Sequence, residues 1–328
     1  MTAPGSTELK LPIETYELAN GLRVVLSEDH ATPIVAVNIW YHVGSANERV
    51  GRTGFAHLFE HMLFQGSAHV AANEHFELIQ RAGGTLNGST WLDRTNYHET
   101  VPAHHLELAL WLEADRMAHL LPAMTQEKLD TQRDVVKNER RWSVDNQPYG
   151  TWWERLPALC FPAAHPFHHS LIGSMEDLSA ASLEDVAEFF RTWYTPDNAV
   201  LSVVGDFEAA TARALIERHF SGMARAAVPR TTPDFHIEAQ GGGWSRTTVD
   251  DAVAAPRVFL AFRVPPFGSA GWYAPSLLGS FLGSGEGSRL ARALVREQAI
   301  ASDASAFTFD LSKGADLLVC DVTGRPRS

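Results

Sequence analysis

Phe55-Ala-His57-Leu-Phe-Glu60-His61-Met-Leu-Phe64 is the stretch on which the reading of this chain turns. It contains the pattern H-x-x-E-H. Histidines at i and i+4 share one face of a helix, a turn apart. Two neutral imidazoles so placed can meet one zinc ion at about 2.0–2.1 Å each. Glu60 comes one residue before His61, so it points near such an ion but too obliquely to be a first ligand. A general base for an activated water belongs in that position. The arrangement is the H-E-x-x-H helix of zinc peptidases in reverse order. Phe55, Leu58, Phe59, Met62, Leu63 and Phe64 surround the polar triplet, so the helix reads as buried. Burying two histidines and a glutamate without partners is unfavourable, and a metal ion with its water removes that penalty. The other reading of the same residues is a polar helix face or a hydrogen-bonded pair of histidines.

A zinc site needs a third protein ligand. A helix is predicted from Thr125 onward, with Thr125 as its N-cap. Leu129, Gln132, Val136 and Glu139 fall on one face of it. Glu139 is the carboxylate that shares a face with apolar residues. By periodicity alone it is either an inward ligand or an ordinary surface glutamate beside Arg140 and Arg141.

Outward from these helices the chain alternates. Thr15–Leu18 and Leu22–Leu26 read as strands joined by an Asn20-Gly21 hairpin turn. Ile34–Tyr41 is a third strand, followed by a polar loop from Gly44 to Thr53. The H-x-x-E-H helix is predicted from about Gly54 to Gln65, with Gly66 at its C-cap. A second helix runs from Asn73 to Ala82, Leu86–Asn96 reads as extended, and Tyr97–Val101 as a strand. Helices occupy His104–Ser143, with a break near Leu121-Pro122, and return at Leu183–Tyr194 and Ala209–Phe220. Between those last two lies a strand, Ala199–Val204. Strands, then helices, then a strand indicate an α+β fold rather than alternating βαβ units.

Residues 226–243 are rich in Pro, Thr and Gly and read as a linker. Beyond it the opening theme returns in degenerate form. Val258–Val264 resembles Val37–His42, and Tyr273-Ala274 with Phe281-Leu282 echoes Phe55-Ala56 with Leu63-Phe64. In that alignment Pro275, Leu278 and Gly279 stand where the first copy has His57, Glu60 and His61. The organisation expected is two related lobes, each a mostly antiparallel sheet packed with helices. Residues 1–225 form a catalytic lobe, 226–243 a linker, and 244–328 a second lobe that has kept the scaffold, lost the chemistry and stops short. Gly283-Ser-Gly-Glu-Gly287-Ser288 lacks the ending of a phosphate-binding loop and reads instead as a cap for a helix beginning near Ser288-Arg289.

Bulk properties narrow the function classes. The 328 residues, 45% of them hydrophobic, suffice for more than one core. A formal net charge of −12 is unsuited to general nucleic-acid binding. Cys160 and Cys320 are the two cysteines and form no CxxC pair, which argues against a disulfide framework and a thiolate zinc site. His168-His169 lacks partner spacing for a metal site and reads as loop or core. No apolar run is long enough to span a bilayer, and no signal peptide is visible, so a cytoplasmic setting is expected, a periplasmic or secreted one remaining open.

The stretch Tyr41-His-Val-Gly-Ser-Ala-Asn-Glu48, continuing through Thr53-Gly54 to Gly66-Ser67, closely resembles the pitrilysin family, which includes insulin-degrading enzyme, the mitochondrial processing peptidase and many bacterial zinc peptidases. The likeness continues through Gly83–Thr90, Asp93–Tyr97, Arg133–Glu139, His165–Gly173, Tyr194–Asn198 and Val204–Asp206, and covers essentially all of residues 12–328. It implies an endopeptidase with one zinc ion per chain. His57 and His61 would be ligands, Glu60 the base and Glu139 the distal ligand, 78 residues beyond His61 as is usual in the family. Gln132 stands where relatives often carry a glutamate beside the metal, and it supplies a hydrogen bond without the charge. Asn87, Gly88 and Ser89 match the edge strand that pairs with the backbone of a peptide substrate. The resemblance also implies a partner, either a second copy or another peptidase-like subunit. It allows an alternative in which the chain is a non-catalytic or partner-dependent piece of a clamshell assembly.

Overall fold

A computed structural model describes residues 11–238, 243–311 and 313–326. Strand β3 (Ile34–Tyr41) organises the larger sheet. Val35, Val37, Ile39 and Tyr41 alternate along it and are fully buried, as the period of two for a half-buried strand requires. The sheet has six strands in the order β1-β2-β6-β3-β5-β4. Its other members are β1 (Ile13–Glu17), β2 (Arg23–Glu28), β4 (Thr85–Thr90), β5 (Thr95–Pro102) and β6 (Ala199–Gly205). All its pairings are antiparallel except β2 with β6. The expected hairpin turn is present. Gly21 takes φ +89°, and Asn20 Oδ1 accepts from the Leu22 N–H at 3.2 Å. The stretch predicted as extended from Leu86 to Asn96 is instead a hairpin. Trp91 N–H donates to Arg94 O at 2.8 Å, closing a turn that separates β4 from β5. This leaves β4 at the edge of the sheet.

Helix α1 (Phe55–Met62) is shorter than predicted. Its last turn tightens into i→i−3 bonds, from Leu63 to Glu60, Phe64 to His61 and Gln65 to Met62, before Gly66 reverses the chain at φ +92°. Then follow α2 (Glu74–Arg81), α3 (Leu106–His119) and α4 (Gln126–Arg140). Thr125 Oγ1 accepts from the Lys128 N–H at 3.3 Å, the predicted N-cap. Two helices escape the sequence reading, α5 (Trp152–Cys160) and α6 (Met175–Ala180). Pro157 inside α5 reads locally as a breaker, and α6 is only six residues long. Helices α7 (Leu183–Trp193) and α8 (Ala209–Phe220) flank β6 in sequence.

The chain divides into two compact units. The first takes residues through Val43, His57–Gln132 and Ala181–Thr231, and so holds the six-stranded sheet. The second takes Gly44–Ala56, Arg133–Ala180 and the chain from Thr232 onward. Its sheet has the order β7-β9-β8, all antiparallel, from β7 (Arg257–Val264), β8 (Ala301–Phe309) and β9 (Asp316–Gly324). Helix α5 packs on it through rings: Trp152 stacks on Phe259 with centroids 5.0 Å apart, and Trp153 meets Phe309 edge-on at 4.1 Å. Helix α9 (Tyr273–Gly283) lies against β8. A Cβ on Gly279 would meet Leu318 Cδ1 at 3.1 Å, and one on Gly283 would overlap the Ala306 backbone. The position aligned with His61 is thus used for close helix–strand approach. The helical residues expected after Ser288 are present, as a wide π-type segment at Ala291–Glu297.

The core of the first unit contains charge. Glu99 faces inward from β5 opposite Val37 and is 1% exposed. Arg116 binds Glu113 through Nε at 2.7 Å, lies 3.9 Å from Glu99 and sits 4.1 Å over the Tyr97 ring. His75 Nε2 is 2.8 Å from Glu99 Oε1. Burial, with Arg116 beside it, lowers the His75 pKa to about 3, while burial pushes Glu113 up to about 8 against the pull of Arg116. His75 is therefore neutral in the fold and gains a proton on unfolding below its ordinary value of 6.5. That stability is fully present above 6.5 and is lost as pH falls from there toward about 3. The melting temperature of a His75→Gln chain should fall less steeply than the parent's between about pH 6.5 and 4. Parallel slopes would remove His75 from the acid response.

Candidate metal centre

The first turn of α1 is fixed by a buried carboxylate. Glu48, whose side chain is fully inaccessible, accepts from the N–H groups of Gly54 at 3.0 Å and Ala56 at 2.8 Å. These are donors that a helix start leaves without partners, and a negative charge there is favoured by the helix dipole. Burial nonetheless holds the Glu48 pKa well above its usual value, with the backbone N–H bonds opposing. Thr53 is tied to Asp177 through its N–H at 3.0 Å and its hydroxyl at 2.5 Å. Gly54 (φ +80°) and Gly173 (φ +74°) pass back to back, so that a Cβ on Gly173 would lie 2.1 Å from Thr53 O. Glu48, Thr53, Gly54 and Gly173 lie in stretches that carry the family likeness, whereas Asp177 lies outside them.

From that start, one helical turn separates His57 and His61, and their Nε2 atoms lie 3.4 Å apart with the rings perpendicular. This is long for a hydrogen bond between imidazoles. It matches the separation of about 3.3–3.4 Å that two nitrogens have when each is about 2.05 Å from one tetrahedral ion. The pair thus fits a zinc ion on geometry as well as on donor type. Glu60 Oε2 accepts from Thr90 Oγ1 at 2.6 Å. Glu60 Oε1 lies 3.1 Å from where a Gly88 Cβ would be, and Tyr97 and Phe64 close the same space at 3.1 and 3.2 Å. Glycine at 88 therefore keeps β4 close to the Glu60 carboxylate. Asn87 is exposed and its Oδ1 accepts from the Gly88 N–H at 2.9 Å. Ser89 is held by Asn96 at 2.7 Å and through its carbonyl by Arg94 at 3.0 Å.

On α4 the predicted face is realised. Leu129, Gln132 and Val136 are buried, and Glu139 is half-buried. His57 and His61 lie in the first unit and Glu139 in the second. Within the first unit, two groups of three side chains among the described residues could hold a metal ion: His69, Asp115 and His119, and the buried His75, Glu99 and Glu113. His168 and His169 belong to none of them. His168 Nδ1 bonds Phe161 O at 2.8 Å, and His169 Nδ1 lies 3.6 Å from Glu48.

The donor set and spacing of His57 and His61 fit a zinc ion, and comparison with known proteins gives the family. Residues 23–158 match the family described as insulinase (peptidase family M16), and residues 180–327 match the peptidase M16 inactive domain. The zinc protease PqqE of Helicobacter pylori is 32% identical over 91% of this chain and 67% of its own length. The uncharacterized zinc protease YmxG of Bacillus subtilis is 26% identical over 85% of the chain and 66% of its own length. A crystal structure of a Helicobacter pylori protease superposes with a TM-score of 0.88 at 31% identity, covering 97% of this chain and 76% of that one. An M16 inactive domain from Pseudomonas fluorescens shares the fold at a TM-score of 0.78, over 96% of this chain and 75% of that one, with 19% identity. The chain belongs to the M16 peptidase family, the pitrilysin family of the sequence reading. It spans roughly two thirds of the length of the curated relatives just named.

Replacing Glu48 by Ala leaves two buried N–H groups at the start of α1 without their acceptor. The chain should lose about 1–3 kcal/mol of unfolding free energy, measured by urea titration. A variant as stable as the parent would show that other acceptors cap α1.

Proposed function

We propose that this chain is the metal-bearing part of a zinc-dependent endopeptidase. In this reading His57, His61 and Glu139 hold one zinc ion and Glu60 is the general base. The observation that carries it is the 3.4 Å separation of the two imidazole nitrogens, with the Glu60 carboxylate one residue away on the same turn. When bound, the ion supplies Lewis acidity at the scissile carbonyl and lowers the pKa of its water toward about 7. Glu60 takes a proton from the attacking water and passes it to the leaving nitrogen as the C–N bond breaks. Thr90 donates to Oε2 of that carboxylate and so orients it. Gln132, buried two turns before Glu139 on α4, contributes hydrogen bonding without a second charge.

The substrate in this reading is an extended peptide laid against Asn87, Gly88 and Ser89. Because β4 is an edge strand, main-chain hydrogen bonds there would supply affinity with little dependence on sequence. The family relationship and the names of the relatives support peptide hydrolysis.

A second reading has its own support. Val258, Leu260 and Phe262 on β7, with Leu277 and Phe281 on α9, are large apolar residues more than half exposed. Large apolar side chains so exposed favour a covering partner, either a second copy or another peptidase-like subunit, on which activity would then depend.

Glu60→Gln should keep one zinc per chain and abolish cleavage of a mixed set of unstructured peptides, whereas His57→Ala should lose the zinc as well. Turnover by Glu60→Gln equal to the parent's would sink the mechanism. Zinc bound by an inactive parent would select the partner-dependent reading.

Gly88→Ala places a methyl group 3.1 Å from Glu60 Oε1. It should lower kcat/KM by about 10–100-fold while metal content and melting temperature stay close to the parent's. Undiminished kcat/KM would separate β4 from the reacting groups.

A further inference from the structure

A second cluster of metal-binding side chains lies on α3. Asp115 and His119 are four residues apart on that helix and so project from one face. His69 reaches the same face from the turn that follows α1. The turn is built tightly. A Cβ on Gly66 would lie 2.5 Å from Val70 O, and Ser67 N–H donates to Val70 O at 2.8 Å. Ala68 N–H donates to His119 O at 2.9 Å, which fastens the turn to the last residue of α3. His69 Nδ1 is 2.6 Å from Asp115 Oδ1, and the His69 and His119 rings meet edge to face with centroids 5.2 Å apart. One ligand atom from each of the three residues lies within 4.8 Å of the others.

Asp115 is 4% exposed, and a carboxylate removed from water needs compensation. Its Oδ2 accepts from the Ser67 hydroxyl, and its Oδ1 faces His69. The two histidines, by contrast, are exposed. A fixed, oriented carboxylate with two adjustable imidazoles beside it is the donor set of a transition-metal site whose remaining positions open to solvent. It borders a groove of about 860 Å³ that Trp111, Tyr194 and His219 also line, which leaves room for a fourth ligand.

We propose that His69, Asp115 and His119 form a second divalent-metal site, independent of the one assigned to α1. Two imidazoles and a carboxylate suit zinc, cobalt, nickel or copper, whereas calcium and magnesium prefer all-oxygen sites. The ion enters where His69 and Asp115 now share a hydrogen bond. Nδ1 and Oδ1 spread from 2.6 Å to the roughly 3.3 Å that tetrahedral coordination sets. His69, with its side chain 60% exposed, makes that movement, and Ser67 keeps Asp115 in place.

The test is cobalt binding by equilibrium dialysis and visible absorption, on five versions of the chain. The parent should bind two equivalents, His57→Ala/His61→Ala one, His69→Ala/His119→Ala one, and the quadruple variant none. Asp115→Asn in the His57→Ala/His61→Ala background should weaken the remaining equivalent at least tenfold. The proposal is overturned if His57→Ala/His61→Ala binds no cobalt, or if the quadruple variant retains an equivalent of undiminished affinity. In those cases the His69–Asp115 pair is a hydrogen bond that only pins the turn. A parent that binds one equivalent, kept in His57→Ala/His61→Ala and lost in His69→Ala/His119→Ala, would uphold this site while removing the one on α1. Melting curves of His69→Ala/His119→Ala that overlay the parent's establish that the loss is of ligands and not of fold.

Discussion

The Glu48 carboxylate beneath the first turn of α1 is the interaction on which the rest of the candidate centre depends. Two helix-start N–H groups converge on it, and Thr53, Gly54, Gly173 and Asp177 lock the loop that delivers those groups. A helix of eight residues has few hydrogen bonds of its own. Its direction is therefore set by what holds its end, and the direction of α1 decides where His57, Glu60 and His61 point. The same economy explains why glycine stands at 54 and 173. Both have positive φ, and both lie where any side chain would meet backbone within 3 Å.

Charge in the interior has a related role in the first unit. Glu99, Glu113 and Arg116 are buried together with the neutral His75, and Arg116 lies over the rings of Tyr97 and Phe64. Tyr97 and Phe64 also close the space beside Gly88 and Glu60. The buried cluster and the Glu60 carboxylate are thus joined through two shared aromatic walls. Breaking one ion in such a cluster leaves the others uncompensated, so the arrangement favours a single packing of α3 against β5.

The parts of the molecule legible in the sequence are those written in short-range periodicity. Alternation marked β3, the i, i+4 spacing marked the histidine pair, and the apolar face of α4 left Glu139 open until the family resemblance singled it out. What escaped was written at longer range. The hairpin between β4 and β5 hides in a run of Thr, Ser and Asn that has extended character throughout, and its turn declares itself through one backbone bond across Trp91 and Arg94. Helix α5 survives an internal proline because two tryptophans find rings more than a hundred residues away. Glu48 and Thr90 belong to stretches that the family resemblance covers, yet their partners are known only once the chain is folded. In the degenerate second copy, Gly279 keeps the helix and gives up the imidazole. There the pattern shows what was lost, and the close approach to Leu318 of β9 and Phe307 of β8 shows what replaced it.

The edge strand carries a built-in guard. An unpaired strand edge invites sheet-to-sheet association, and β4 is such an edge. Here Asn87 turns its own amide oxygen onto the Gly88 N–H, so one donor of that edge is already satisfied. An incoming strand must exchange that bond for another of its own. A contact of one or two residues gains almost nothing by the exchange, while a longer strand gains at each further pairing. The edge is thereby quiet toward chance encounters with neighbouring molecules and responsive to length.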